Sequence, residues 1–208
     1  MTTNSRQDEL KSALSNRLLV IDGAMGTAIQ NRDLGPDDFG GAEYEGCNEY
    51  LIITRPDVIE DIHRSYLEAG ADIIETDTFG STPVVLAEYD LAHEARRLNR
   101  DAAALARRVA EEYSTPDKPR FVAGSMGPTT KTISVTGGIA FEELAADYHT
   151  QAAGLIEGGV DLLLLETSQD TINVKAGLEG IDRAFAELGR EVPVAVQGTV
   201  EPMGTLLA

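Results

Sequence analysis

Apolar and polar residues follow two rhythms along this chain, and the rhythms take turns. Short apolar runs at residues 18–23, 72–77, 120–125, 161–166 and 192–198 read as strands. Between them Pro56 to Ala69, Val84 to Tyr113, Phe141 to Glu157 and Thr171 to Leu188 carry apolar residues at helical spacing, and the polar stretch Met1 to Arg17 reads as a further short helix. Strand and helix in strict alternation predict βαβ units and a parallel sheet. Runs such as Leu162 to Leu165 show no polar alternation, so the strands are expected to be covered on both faces, as in a (β/α) barrel or a doubly wound sheet.

Three of the runs end on an acid: Leu18 to Asp22, Ala71 to Glu75 and Asp161 to Glu166. The last two continue into Thr76 and Thr167, and similar text precedes them, Leu67-Glu68-Ala69-Gly70-Ala71-Asp72 and Ile156-Glu157-Gly158-Gly159-Val160-Asp161. Helix end, turn and strand therefore recur as one module. Polar and Gly-rich residues follow the carboxyl ends of the strands, at 22–23, 76–82, 125–132, 166–171 and 198–204, and a barrel concentrates its site on that face. No G-x-G-x-x-G follows the first strand and Gly23-Ala24-Met25-Gly26 lacks a P-loop Lys, which argues against a classical nucleotide fold.

The length of 208 residues suits one core. A net charge of −18 argues against binding to a nucleic-acid backbone, which needs clustered Lys and Arg. With no apolar run approaching membrane-spanning length and no charged-then-apolar leader, no membrane association and a cytoplasmic location are expected. The single cysteine, Cys47, permits no internal disulfide and suits a reducing compartment.

Asp22, Glu75 and Glu166 could together hold an ammonium group, whose three donors satisfy several carboxylate oxygens at once. The competing reading is that each acid caps the helix that follows. Gly23-Ala24-Met25-Gly26 and Gly124-Ser125-Met126-Gly127-Pro128-Thr129 could aim backbone N–H groups at a substrate carboxylate. On spacing alone, a tight turn needing positive φ is the leading account of both loops. His63, His93 and His149 fall within helices as surface or packing residues, and Cys47 reads as a small buried thiol. No thiolate-rich zinc site can be built, while an oxygen site for a divalent cation from Asp22, Glu75, Asp77 and Glu166 stays open.

Taken together, Asp22-Gly23-Ala24-Met25-Gly26-Thr27, Gly46-Cys47-Asn48-Glu49, Tyr66 to Thr76, Val122 to Thr129, Asp161 to Asp170 and Gly198-Thr199-Val200 resemble the homocysteine-binding (homocysteine S-methyltransferase) module of cobalamin-dependent methionine synthases. The resemblance implies a (β/α)8 TIM-type barrel that binds homocysteine, methylates its thiol to give methionine, and uses zinc to take that thiol, with 5-methyltetrahydrofolate as ultimate donor through cobalamin. By the same resemblance Asp22, Glu166 and the loop Gly23, Ala24, Met25 hold the amino-acid end of the substrate, with Glu75, Thr76 and Ser125 as further substrate-binding residues. Two departures stand out. The family often has Asn where Asp77 stands, and its three zinc cysteines find no counterpart, Cys47 matching none of them.

The expectation is therefore an incomplete barrel with about five of eight βα units over residues 18–208, preceded by a helical extension over residues 1–17. Its outer strands would present unpaired edges. Neither catalytic nor metal-binding residues are assigned, the folate and cobalamin modules of the parent chain are the expected partners, and the chain alone is expected to be inactive. The rival readings are a stand-alone betaine or S-methylmethionine homocysteine methyltransferase, a metal-dependent barrel lyase or aldolase, and a non-catalytic amino-acid-binding module.

Overall fold

The computed structural model describes residues 3–134 and 137–205. Four strands, β1 (Ile73–Glu75), β2 (Phe121–Met126), β3 (Leu162–Ser168) and β4 (Val194–Gly198), pair in sequence order, and every pair is parallel. Among the described residues eight α-helices accompany them: α1 (Thr3–Asn16), α2 (Met25–Gln30), α3 (Leu51–Thr54), α4 (Pro56–Ala69), α5 (Pro83–Leu86), α6 (Ala95–Tyr113), α7 (Phe141–Gly158) and α8 (Thr171–Leu188). The long helices end where the chain can turn: Gly70, Gly159 and Gly189 all have positive φ at the carboxyl caps of α4, α7 and α8.

Side chains alternate across the sheet. One face turns Ile74, Val122, Leu163 and Leu165 toward α4, α6, α7 and α8 and forms the main core. The other face presents Ile73, Phe121, Ala123, Leu162 and Leu164, and Leu10 of α1 is buried among them. Arg6 donates to Asp161 at 3.2 Å and Arg17 pairs with Asp72 at 2.8 Å, so α1 is fastened across the amino ends of the strands. Both aspartates also accept a main-chain N–H from the neighbouring segment, Asp72 from Val20 and Asp161 from Val122. The recurring Asp of the two modules is thus a staple at the foot of each strand.

Three expectations need correction. Residues 18–23 do not form a full strand; Ile21 bridges Ile73, and Val20 O and Asp22 N add bonds to the same stretch. This segment lies at the sheet edge with Leu18 and Val20 exposed, so its ladder has a partner on one side only. The region Val84 to Tyr113 is not one helix: α5 passes through two short 3₁₀ turns at Ala87–Tyr89 and Ala92–Glu94 before α6 begins, with Asp90 in the left-handed region at φ 57° between them. Coverage on both faces holds for β1 to β3 but not for β4, where Val194 and Val196 are exposed.

The close fit of the helices depends on glycine. A Cβ at Gly154 of α7 would lie 2.5 Å from the carbonyl oxygen of Arg96 in α6, and one at Gly180 of α8 would lie 2.5 Å from that of Ala145 in α7. These are backbone contacts that a side-chain shift cannot relieve.

Candidate functional site

The carboxyl ends of the strands surround a cavity of about 270 Å³. It is lined by Ala24, Met25, Gly26, Asn48, Glu49, Glu75, Thr76, Asp77, Phe79, Ser125 and Glu166, four carboxylates and no Lys, Arg or His. A larger cleft of about 710 Å³ lies around the loop that leads into β4 and contains none of the strand-end groups.

Strand register brings the acids together. Glu75 lies level with Ala123 and Ser125 lies level with Leu164, so Glu75, Ser125 and Glu166 climb diagonally across three strands on the same face. Such a stagger accompanies strand tilt in a barrel. Glu166 sits at an irregularity: the pairing of β3 with β4 shifts between Leu165 and Ser168, and Thr167 has φ 52°. A β-branched residue there is strained, and bulges of this kind re-aim side chains beside functional sites. The Thr167 amide is held by Gln197 Oε1 at 2.9 Å.

Ser125 Oγ donates to Glu166 Oε1 at 2.5 Å. Asp22 Oδ1 accepts the Glu75 amide at 3.0 Å, which fixes the top of β1 to the edge segment. Burial, then the nearby charges of Glu75 and Glu166, push the Asp22 carboxyl up to about 8. Burial and the Glu166 charge push Glu75 up to about 7. Like charges converging in a poorly hydrated space hold protons that a cationic ligand would displace.

None of the three acids caps a helix. Ala24 occupies the amino cap of α2 without a side-chain bond, whereas α8 is capped by Asp170, which accepts from Ile172 N and Asn173 N. The tight-turn account is right for the first loop in an unexpected way, since the left-handed residue is Ala24 at φ 37° rather than a glycine. It fails for the second, where neither glycine has positive φ and Gly127 is required by proximity: a Cβ there would lie 2.7 Å from Phe79 O, while one at Gly124 would meet the movable end of Leu155 at 2.9 Å.

Of the residues expected at the site, Ala24, Met25, Glu75, Thr76, Ser125 and Glu166 line the cavity together. Asp22 stands behind Glu75, and Gly23 is not on the wall. The Thr76 hydroxyl is turned inward, 2.6 Å from Thr78 Oγ1 and accepting from Ser125 N at 3.0 Å. Gly26, Asn48, Glu49 and Phe79 were not anticipated as a wall. For Asn48 and Glu49 the signal was the Gly46-Cys47-Asn48-Glu49 segment, which no strand-end argument reaches.

Glu49 and Asp77 form a second acidic wall. Glu49 Oε1 accepts the Gly80 amide at 2.7 Å, while Asp77 Oδ2 is buried with no hydrogen-bond partner. Burial and the charge of Glu49 hold the Asp77 carboxyl well above its ordinary range, and burial also raises Glu49. Among the described residues, no three His, Cys, Asp or Glu side chains come together as a metal-holding group. Cys47 is buried against Leu86, Leu91 and Leu98, with its thiol pushed up to about 12 by burial and the Glu49 charge. These residues do not fit a thiolate zinc site. His63 is fully buried, His93 is exposed, and His149 bonds Glu187 on the surface.

A floor of apolar strand residues under a mouth of strand-end acids defines a barrel-type small-molecule site, and sequence comparison places it. Residues 19–208 match the family model for homocysteine S-methyltransferase, and the chain belongs to that family. It is 47% identical over 199 residues to the methionine synthase of Mycobacterium leprae (strain TN) and 48% identical to that of Mycobacterium tuberculosis (strain ATCC 25618 / H37Rv). Each alignment covers 96% of this chain but 16% of the relative, so the chain spans about a sixth of the length of these proteins. Among solved structures, the oxidized and metallated forms of the homocysteine methyltransferase MmuM from Escherichia coli superpose with TM-scores of 0.76 at 23% and 22% identity. They cover 95% of this chain, which covers 68% and 69% of theirs, and show that the two share a fold, the TIM-barrel type. No helix among the described residues is long and apolar enough to cross a membrane.

Proposed function

We propose that this chain grips the amino-acid end of homocysteine for methylation of its thiol to methionine, as part of a methionine synthase. The observation that carries the reading is the convergence of Asp22, Glu75 and Glu166 around one cavity without a basic residue on its wall. The substrate ammonium would donate to Glu166 and Glu75 and take the place of the protons that Asp22 and Glu75 retain. Its α-carboxylate would meet main-chain N–H groups of Ala24 and Met25, and its methylene chain would lie along Met25 and Phe79.

Thiol activation belongs to groups outside these residues. The zinc, the cobalamin and the folate and cobalamin modules implied by the resemblance are proposed as contributions from other parts of the parent protein, acting in the cytoplasm. The strong net negative charge supports a small-molecule role rather than nucleic-acid binding.

Calorimetric titration of L-homocysteine into the purified protein tests the reading. Binding is expected, weakened about tenfold or more by Glu166→Gln, the scale of losing one charged hydrogen bond. Equal affinity in the variant would remove the grip from Glu166 and overturn the assignment.

A further inference from the structure

We infer that Thr78 and Gln151 are positioning residues, which act on the ligand only through Ser125. The inference rests on the reading of the pocket as a homocysteine grip and deepens it. Neither residue lines the cavity, and both are fully buried.

The argument is one of proton counting. Thr78 Oγ1 donates to Ser125 O at 2.7 Å, which uses its only proton. The 2.6 Å contact between Thr76 Oγ1 and Thr78 Oγ1 is therefore donated by Thr76. Thr76 Oγ1 in turn accepts from Ser125 N at 3.0 Å. The three bonds close a ring with one direction: Ser125 N–H to Thr76, Thr76 to Thr78, and Thr78 back to Ser125 C=O. Both main-chain groups of Ser125 are thus clamped by hydroxyls of the neighbouring strand end, and the bonds polarise one another in a buried setting.

Gln151, reaching from α7, seats the ring. Its Nε2 donates to Thr78 O at 2.7 Å and approaches Ser125 O at 3.5 Å. Its Oε1 is buried and unpartnered. A side chain that leaves its acceptor unsatisfied is held there for its donor, because an apolar residue of similar size would avoid that cost.

The consequence falls on one atom. With its main chain fixed, Ser125 can place its hydroxyl proton on Glu166 Oε1 at 2.5 Å, leaving the remaining Glu166 lone pairs for a ligand ammonium. A Thr78 that lost its hydroxyl would open the ring, free the Ser125 carbonyl and loosen that bond.

A double-mutant cycle read by L-homocysteine calorimetry tests this. Ser125→Ala and Thr78→Val are each expected to weaken binding about tenfold, the scale of one hydrogen bond to a charged group. Thr78→Ser, which keeps the hydroxyl, should restore affinity. On the Ser125→Ala background Thr78→Val should add less than about twofold, because its route to the ligand is already cut. The pH midpoint of binding should also move in Thr78→Val and return in Thr78→Ser, a shift that loss of packing alone would not reverse. Independent, multiplying losses would overturn the inference, as would unchanged affinity in Thr78→Val. Failure of the underlying grip has a different signature: wild-type protein that binds no homocysteine, or Glu166→Gln that binds as well as wild type. If Thr78→Val does not fold, Gln151→Met takes its place in the cycle with the same expected coupling to Ser125.

Discussion

Asp72 and Asp161 hold equivalent posts at the feet of β1 and β3, each accepting a main-chain N–H from the neighbouring segment and an arginine, Arg17 just past α1 for Asp72 and Arg6 of α1 for Asp161. The two aspartates are equally deep, but their arginines are not. Arg17 is more than a third exposed where it meets Asp72, whereas Asp161 receives the better buried Arg6 and also Arg107 of α6. Asp161→Asn is expected to cost about 3 kcal/mol, because it leaves two arginines short of a buried partner. Asp72→Asn should cost about 1 kcal/mol, after discounting for solvent at Arg17. Urea unfolding of the two variants checks the order, and a larger loss at Asp72 would contradict it.

Homocysteine binding should release protons at neutral pH. Asp22 is pushed up to about 8 and Glu75 to about 7, so both hold protons in the free protein that an arriving ammonium would displace. Affinity should therefore rise as pH climbs from about 6 to 8. Titrations at pH 7 in buffers of different ionisation enthalpy measure the release directly, and proton uptake would refute it.

The same carboxyls set a pH dependence on folding. Their folded values lie above their unfolded ones, so the native state binds more protons and stability falls as pH rises from about 4 to 8. Asp77 adds to the trend, since burial and Glu49 raise it too. Asp77→Asn should flatten the slope, because an amide at this buried position does not titrate. Thermal melts across this range provide the check, with unchanged slope as the adverse result.

The packing of α7 on α6 predicts a sharp contrast between glycines. Gly154→Ala should lower stability by about 1–3 kcal/mol, since the added methyl meets the Arg96 carbonyl and the helices must separate. Gly35→Ala places its methyl in open space and should leave the melting temperature close to wild type. Comparable losses at both sites would mean that the close approach is not limiting.

Much of this was legible from periodicity because the buried strands and long helices are locally consistent. Leu162 to Leu165 could be read as a covered strand, and Gly70 and Gly159 as helix ends. The strand-end acids were legible as a group because a parallel sheet places all such ends on one side. The segment 18–23 misled because its apolar run suits a strand, while pairing depends on neighbours that no local pattern describes. The break at Asp90 was hidden for a related reason: a polar residue in the left-handed region costs little and leaves no mark comparable to Gly or Pro. Thr78 and Gln151 were out of reach, because their significance lies in which proton goes to which oxygen across three elements.

The docking of α1 also has a meaning in time. Arg6 finds its acceptor 155 positions further along the chain, and Leu10 is buried against Leu162 and Leu164 of the same strand. During synthesis α1 emerges well before β3, so its apolar side is not fully covered until that later strand is made. Until then Leu10 lacks part of its cover on the nascent chain, and α1 is made long before it can take its final place.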